Sequence, residues 1–470
     1  MVRGALRRLL SGTLGASVSS EASRPSGVGP AATGRTDAAD ATAVAGGDPL
    51  EVCLLSYRSD PYSGGQGVYV RYLSRALTDL GHSVDVVSGK PYPDLDEDVR
   101  LVKLPGENVV DELDRLGQFE PSYLADPTAL YEWLSALTGG FPDPYAFGRR
   151  VLEHFEAREP DYDVVHDNQS LCYALPELEK RGYPVVATVH HPITVDREVT
   201  LAEADGLRER LLVRRWYRFL RMQQAVVPQL SHIVTVSEAA RRRTVTDFGA
   251  DPDAVRVVHN GIDTDVFEPR DGEVEADGAG GVDGPTDAAE HRLMTTVSAD
   301  APIKGVRYLL RAFARVREAV DAELVVVGEF DEGGDAEGLV EELGVGDAIA
   351  THSGISTDRL VDLYASADVA AVPSVYEGFG LPAGEAMACG VPVVATDGGA
   401  LPEVVGGAGV QVPARDAGAL ATAILDLLED PDRRRRLGRR GRERVVEQFD
   451  WERAARETAR TYRQAIHGDG

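Results

Sequence analysis

The stretch SVYEGFGLPAGEAMACGVPVVATDGGALPEV, residues 374–404, decides the fold. It starts at the end of the apolar run VAAVPS, passes through a glycine-containing loop, and enters a helix with Pro382 at its expected first position. A second apolar run, PVVATD, follows that helix. Short apolar runs that alternate with helical stretches are typical of parallel strands covered by helices on both faces. The stretch therefore predicts a strand, a helix and a further strand of an α/β sheet.

The same alternation extends in both directions along the chain. The strand EVCLLS precedes a helix with apolar residues at i, i+3, i+7 and i+10, which Gly81 ends before the strand SVDVVS. Further predicted strands are DVVHD (163–167), PVVATVH (184–190), HIVTVS (232–237), VRVVHN (255–260), LMTTVS, AELVVVGE and AIATHSG. We therefore predict an α/β fold of two Rossmann-like, doubly wound parallel sheets, which bind ligands at the carboxyl ends of their strands.

Composition excludes several classes of protein. The net charge of −28 argues against nucleic acid as a partner, because phosphate backbones are bound by clustered Lys and Arg. An acidic chain with only four lysines is typical of salt-adapted organisms. The three cysteines lie far apart, so neither a disulfide framework nor a metal site is predicted. No run of about 18 apolar residues occurs and the N-terminus lacks the apolar stretch of a signal peptide, so we expect a cytoplasmic protein.

The loop and helix start within residues 374–404 have the composition of a diphosphate site. Gly378 and Gly380 allow backbone N–H groups to approach a ligand, and the helix start adds a partial positive charge. Glu377 and Glu385 flank this point, and we expect both to lie near it, Glu385 in the first turn of the helix. One carboxylate can bind sugar hydroxyls and the other a ribose diol. The alternative is a solvated loop acid and an acid favoured by the helix dipole.

Glu377 and Glu385 form an E-x7-E pattern, and EGFGLPAGEAMACGVPVVATDGGALPEV resembles the donor-site signature of retaining GT-B glycosyltransferases of family 4. The resemblance extends from about residue 51 to 463. It implies that the first Glu contacts the sugar, that the Gly-Phe-Gly-Leu turn contacts sugar and diphosphate, and that the second Glu holds the ribose. The donor-binding residues implied are Glu377, Phe379, Gly380, Leu381 and Glu385.

Two further segments match the same family. SGGQGVYVRYLSRALTDLGHSVDVV resembles its first loop and helix, in which glycines at the positions of Gly64 and Gly65 approach the donor phosphates. In ATVHHPITVD, His190 aligns with the family histidine near the transferred sugar and is a catalytic candidate. A histidine just past a strand end can equally be a structural residue with satisfied hydrogen bonds.

One stretch departs from the family pattern. The family places an Arg and a Lys on the donor diphosphate, and in VSADAPIKGV the lysine is present as Lys304 whereas Ala299 occupies the arginine position. Lys304 and Glu377 therefore join His190 as the catalytic candidates. Arg58, after the first strand, is one conceivable source of the second cation.

Low-complexity segments and the resemblance together predict the domain boundaries. Residues 1–47 lack apolar periodicity and indicate a disordered tail, and the acidic, glycine-rich residues 270–292 indicate a flexible linker. Between them lies an acceptor-side domain at 48–269, and a nucleotide-sugar-binding domain follows at 293–445. The GT-B resemblance implies that the final helix, within 446–470, returns toward the first domain.

The resemblance implies transfer of a hexosyl group, with retention, from a nucleotide-diphosphate sugar to a glycan, glycolipid or small-molecule acceptor. It implies no metal ion and no cofactor beyond this co-substrate. Two other functions stay open: a nucleotide-sugar epimerase or phosphorylase on the same scaffold, and a nucleotide-sugar-binding protein that has lost catalysis.

Residues 207–227 concentrate arginine within this acidic chain. Arg210, Arg214, Arg218 and Arg221 recur at helical spacing on one face. An interfacial helix at the inner face of a membrane would have this pattern. A solvated helix face whose arginines pair with surface acids would have it too.

Overall fold

The computed structural model describes residues 48–60, 65–106, 119–204, 206–270, 289–297, 301–331 and 333–468. The predicted tail, Gly64, Ala299 and residues 271–288 of the predicted linker lie outside the described residues. In the described part of the chain, no helix is long and apolar enough to cross a membrane. The three cysteines are unpaired and buried.

The first sheet has seven parallel strands in the order β3-β2-β1-β4-β5-β6-β7. The strands are β1 Glu51–Ser56, β2 Ser83–Ser88, β3 Arg100–Lys103, β4 Val164–Asn168, β5 Val185–Val189, β6 Ile233–Thr235 and β7 Val255–Val257. Their helices are α1 Gly65–Asp79, α2 Pro127–Leu137, α3 Asp143–Arg158, α4 Ala174–Lys180, α5 Thr194–Glu203, α6 Gly206–Trp216, α7 Leu220–Val226 and α8 Glu238–Phe248. The strand order reverses between β1 and β4, which is where such sheets open a ligand crevice.

The second sheet has six parallel strands in the order β10-β9-β8-β11-β12-β13. The strands are β8 His291–Thr296, β9 Ala322–Val327, β10 Ile349–His352, β11 Val369–Val372, β12 Val393–Thr396 and β13 Val410–Val412. The helices are α9 Val306–Ala319, α10 Asp335–Leu343, α11 Thr357–Ala365, α12 Leu381–Ala388, α13 Leu401–Val405, α14 Ala417–Leu428, α15 Pro431–Gln448 and α16 Trp451–His467. The prediction of two doubly wound parallel sheets is confirmed.

Burial explains why the strands are apolar throughout. In β1 and in β2 only the first residue is exposed, and every residue of β4 and β5 is buried. Helices cover both faces of each sheet, so neither face of a central strand meets water. β8 begins at His291, two residues before the predicted start of the second domain at 293.

The last helix, α16, packs on the first sheet although it follows the second sheet in the chain. Trp451 stacks on Tyr72 of α1 with ring centroids 5.5 Å apart. Farther along α16, the hydroxyl of Tyr462 lies 2.6 Å from Nδ1 of His166 in the middle of β4. Both Trp451 and Tyr462 belong to the buried cluster of the first domain. The C-terminal helix therefore forms part of the hydrophobic core of the N-terminal domain.

Candidate active site

The loop before α12 brings backbone N–H groups to the carboxyl end of β11. Gly380, which precedes the helix, has a left-handed φ of +105°, and a Cβ added there would lie 2.8 Å from Cδ2 of Leu401. Glycine is required at this position for both reasons. The side chain of Phe379 is buried against Phe449, with ring centroids 5.5 Å apart, so only the backbone of Phe379 can face a ligand.

The structure corrects two details of this helix. α12 begins at Leu381, so Pro382 is its second residue rather than its first. Glu385 is then the fifth residue and lies in the second turn, not in the first turn as expected, because one turn contains 3.6 residues. Gly380 adopts the left-handed conformation that precedes the helix. The helix therefore starts at Leu381, one residue before the proline.

Glu377 and Lys304 form an ion pair at the mouth of this loop. Nζ of Lys304 donates to Oε1 of Glu377 at 2.8 Å, and Oγ of Ser374 donates to the same oxygen at 2.7 Å. Burial by itself would raise the pKa of Glu377, but the Lys304 ammonium and the hydroxyl of Ser374 hold the pKa below its ordinary value. Glu377 is therefore a carboxylate at neutral pH.

A tight turn fixes the position of Lys304. The turn Pro302–Lys304 ends at Gly305, which has a left-handed φ of +69°. A Cβ on Gly305 would lie 2.1 Å from the carbonyl oxygen of Pro373, just after β11. The segments that carry Lys304 and Glu377 are therefore in direct backbone contact. This contact between loops that follow neighbouring strands keeps the two charged side chains close to each other.

Glu385 lies against the hydroxyl of Tyr364. This hydroxyl donates to Oε2 of Glu385 at 3.2 Å and is 2.8 Å from Oγ1 of Thr296. Burial raises the pKa of Glu385 to about 7. Burial first, and then the carboxylates of Asp263 and Glu385, raise the pKa of Tyr72 on α1 to about 12.

The starts of α1 and α12 oppose each other across the cleft. A Cβ added to Gly65, the first residue of α1, would lie 3.5 Å from Cδ1 of Leu381, the first residue of α12. Two helix N-termini therefore direct their partial positive charge into one space.

His190 comes directly after β5 and is held on several sides. Its Nε2 is hydrogen-bonded to Oδ1 of Asn168, and its amide donates to Oε1 of Gln169 at 2.6 Å. Its ring meets the ring of Tyr69 edge-on, with centroids 4.3 Å apart. Burial, and then the neighbouring His166 and His191, lower the pKa of His190 to about 3. The imidazole is neutral and can contribute hydrogen bonds but no charge.

Comparison with known proteins identifies the family. Residues 63–266 match the family model described as Glycosyltransferase Family 4, and residues 286–444 match the model Glycosyl transferases group 1. The chain is 46% identical over 422 residues to the MMP alpha-(1->4)-mannosyltransferase of Mycolicibacterium hassiacum, covering 89% of this chain and 98% of that protein. The chain belongs to glycosyltransferase family 4.

Two further comparisons agree with this assignment. The glycosyltransferase is 32% identical over 441 residues to D-inositol 3-phosphate glycosyltransferase 2 of Catenulispora acidiphila, covering 89% of this chain and 96% of the relative. Its structure resembles that of sucrose-phosphate synthase from Thermosynechococcus elongatus, with a TM-score of 0.66 and 26% identity over 89% of this chain and all of that chain. The two sheets are the two domains of a GT-B fold.

The structure also adds a pair of residues that the sequence interpretation missed. Nε2 of His191 is hydrogen-bonded to a carboxylate oxygen of Asp196 in the first turn of α5. The ring of His191 lies 5.1 Å from that of Tyr376, and His191 contributes to the lowered pKa of Glu377. This glycosyltransferase therefore places a second histidine near Glu377. The available signal was the pair of histidines after a strand end, followed five residues later by an acid.

Contacts between the domains close the cleft of the glycosyltransferase. Oγ of Ser237 donates to the carbonyl oxygen of Gly378 at 2.6 Å. The carboxylate of Glu403 accepts from the amides of Glu238 and Ala239, both at 2.8 Å, and so caps α8 from the other domain. The first domain thus contacts the loop that follows β11 and the helix α13, which follows β12.

Arg58, the conceivable second cation, lies at the end of β1 and is buried. Its guanidinium faces the carboxylate of Asp143 at 3.9 Å. This ion pair already balances the charge of Arg58 within the first domain of the glycosyltransferase.

Proposed function

We propose that this glycosyltransferase moves a hexosyl group from a nucleotide-diphosphate sugar to an acceptor with retention of anomeric configuration and without a metal ion. The observation that supports the proposal is the Lys304–Glu377 ion pair, 2.8 Å long, at the loop before the start of α12. It combines a cation for a diphosphate with a carboxylate for sugar hydroxyls at the carboxyl end of a parallel sheet.

The diphosphate would lie at the start of α12, where N–H groups and the helix dipole favour an anion. The Lys304 ammonium would then be shared between Glu377 and the diphosphate. As the bond to the sugar breaks, negative charge grows on the leaving phosphate oxygen, and a fixed cation stabilises that charge more than it stabilises the bound ground state. The charge of Lys304 is therefore the main catalytic contribution in this proposal.

The sugar and the ribose would be held by the two glutamates. Glu377 is ionised and can accept hydrogen bonds from sugar hydroxyls, and Glu385 can accept from a ribose diol once it loses its proton. Neutral His190, on the opposite side of the cleft, would contribute a hydrogen bond near the transferred sugar. The proposed reaction uses no cofactor apart from the nucleotide-diphosphate sugar.

The relative that is 46% identical supports a proposal for the sugar, since its name is MMP alpha-(1->4)-mannosyltransferase. We propose mannose or a related hexose as the transferred group. A glycan, a glycolipid or a small polar molecule would serve as the acceptor on the side of the first domain. The reaction would take place in the cytoplasm.

The test is an assay of nucleoside diphosphate release with a panel of nucleotide-diphosphate hexoses and sugar acceptors, preceded by thermal shifts to select the donor. We expect acceptor-dependent release, an unchanged rate in the presence of EDTA, and a product whose anomeric proton has the configuration of the donor. An inverted product, or loss of activity in EDTA that Mg²⁺ restores, would contradict the mechanism.

Three results of the same assay would contradict the proposed function and favour another one. A new nucleotide sugar formed without acceptor would indicate epimerisation, and dependence on inorganic phosphate would indicate phosphorolysis. Donor binding without any turnover over the acceptor panel would indicate a nucleotide-sugar-binding protein.

We expect donor affinity to fall as the pH drops below about 7, where Glu385 becomes protonated. The KM should rise as the pH falls through that pKa and then level off at the value of the protonated form, because the neutral carboxyl is a poorer acceptor for the ribose diol. The measurement is the KM for the intact nucleotide sugar. The variant Glu385→Gln should bind weakly at every pH and lose this dependence. A parent KM that stays constant from about one unit above that pKa to one unit below it would refute the role of Glu385.

A further inference from the structure

The arginine-rich residues 207–227 form a helical segment anchored by one buried face. The segment consists of α6, a short 3-10 turn Tyr217–Phe219, and α7. Val213, Trp216 and Leu220 are buried in the main core of the first domain. The segment is therefore a fixed part of the domain, and its outer face has a defined composition.

That outer face combines leucine and arginine, and we name it the arginine–leucine stripe: Leu207, Leu211, Arg210, Arg214, Arg218 and Arg221. Leu207 and Leu211 are 81% and 62% exposed and lie in two successive turns of α6. The four arginines are exposed as well. Within α6, steps of three and four residues place Leu207, Arg210, Leu211 and Arg214 on one side of the helix. Arg218 lies in the 3-10 turn that follows, and Arg221 lies on α7.

The four arginines of the stripe have no ion-pair partner among the residues that the structure describes. No ion pair with a described residue therefore neutralises these four exposed guanidinium groups, and they are available to an external anion. Arg215, by contrast, reaches the end of α2, where its guanidinium donates to Oγ1 of Thr138, the residue after the helix, at 2.8 Å. On α2 itself, Leu134 and Leu137 are also about half exposed.

We propose that the arginine–leucine stripe docks on a membrane that contains anionic lipids. Arginine side chains can donate several hydrogen bonds to lipid phosphates, and adjacent leucines can enter the acyl boundary. A chain with a net charge of −28 is repelled as a whole by an anionic surface, so a local concentration of arginine beside exposed leucines would also orient the protein. The leucines supply a contribution that salt does not screen.

The test is co-sedimentation of the full-length protein with vesicles of phosphatidylglycerol and phosphatidylcholine, compared with phosphatidylcholine alone. We expect binding to the anionic vesicles only. Replacing Arg210, Arg214, Arg218 and Arg221 with Gln should weaken that binding by about tenfold or more at about 0.1 M salt. The variant Leu207→Ser/Leu211→Ser should weaken it at low and at high salt.

A matched control removes the same charge elsewhere. The arginines at 436, 439, 440 and 460, on α15 and α16, are exposed, and their replacement by Gln should leave vesicle binding unchanged. Circular dichroism and thermal melting would establish that each variant is folded. Absence of parent binding to anionic vesicles, or equal losses in the stripe variant and the control variant, would overturn the proposal. A stripe variant that keeps full vesicle binding but changes its mass in light scattering would instead assign the stripe to contact between copies of the chain.

Discussion

The variant Lys304→Ala is expected to lower kcat by about 10²- to 10³-fold, the usual effect of removing one preorganised group that stabilises charge in the transition state. Lys304 is fixed by the turn that ends at Gly305 and lies 2.8 Å from Glu377. Its ammonium occupies the lysine position of the family pattern, whereas Ala299 occupies the arginine position of that pattern in the sequence. Lys304→Arg should restore only part of the activity, since a planar fork does not fit a site shaped for a compact charge.

The same variant should also lose some stability. The side chain of Glu377 is only 12% exposed, and without Lys304 its charge would lack its main partner. We expect a loss of about 1–2 kcal/mol in the free energy of unfolding, less than for a fully buried pair because Lys304 is partly exposed. The matched control is Lys180→Ala, which removes an exposed lysine bonded to Glu177 at 2.6 Å and should change neither rate nor stability measurably.

Initial rates with saturating donor, together with urea unfolding, measure both effects. Activity of Lys304→Ala within a few-fold of the parent would show that another group carries the charge of the diphosphate. The double variant Lys304→Ala/Glu377→Gln then reports the coupling between the two residues. Additive losses of stability would mean that the ion pair does not hold the site together.

The variant Gly378→Ala should lower kcat/KM by about 10²-fold or more by forcing the two domains apart. A Cβ added to Gly378 would lie 2.2 Å from the carbonyl oxygen of His190, which belongs to the other domain. Gly378 is not among the left-handed glycines, so the contact alone excludes a side chain. A shift of about 1 Å at a catalytic site is enough to cause a loss of this size.

The measurements are steady-state kinetics and the radius of gyration in solution. We expect each domain to stay folded, because the contact joins two domains rather than two elements of one core. Gly407→Ala is the matched control, since a Cβ there would meet no atom within 4 Å, and it should behave as the parent does. Full activity of Gly378→Ala would mean that the closed arrangement is not the reactive one.

Sequence alone was sufficient to predict the architecture, and it also singled out Gly380, Glu377 and Glu385 around the start of α12. Parallel strands covered on both faces must be apolar along their whole length, and this requirement is visible as runs such as those at β5 and β12. The loop before α12 needs glycine for its backbone conformation, so Gly380 and the two glutamates around it form a local pattern. The apolar strands and the glycine-containing loop depend on residues that are neighbours in the chain, so both can be identified from the sequence.

Tertiary structure decided which of these residues act on each other. Lys304 and Glu377 are 73 positions apart and meet because β8 and β11 are neighbours in the second sheet. The pKa of Glu385 depends on how deeply the folded chain buries it. The contact of Gly378 with His190 depends on the packing of one domain against the other. Sequence periodicity reflects local conformation and burial. The order of the strands and the contact between the domains depend on the free energy of the whole fold. The charges and distances of the site are therefore determined only in the folded structure.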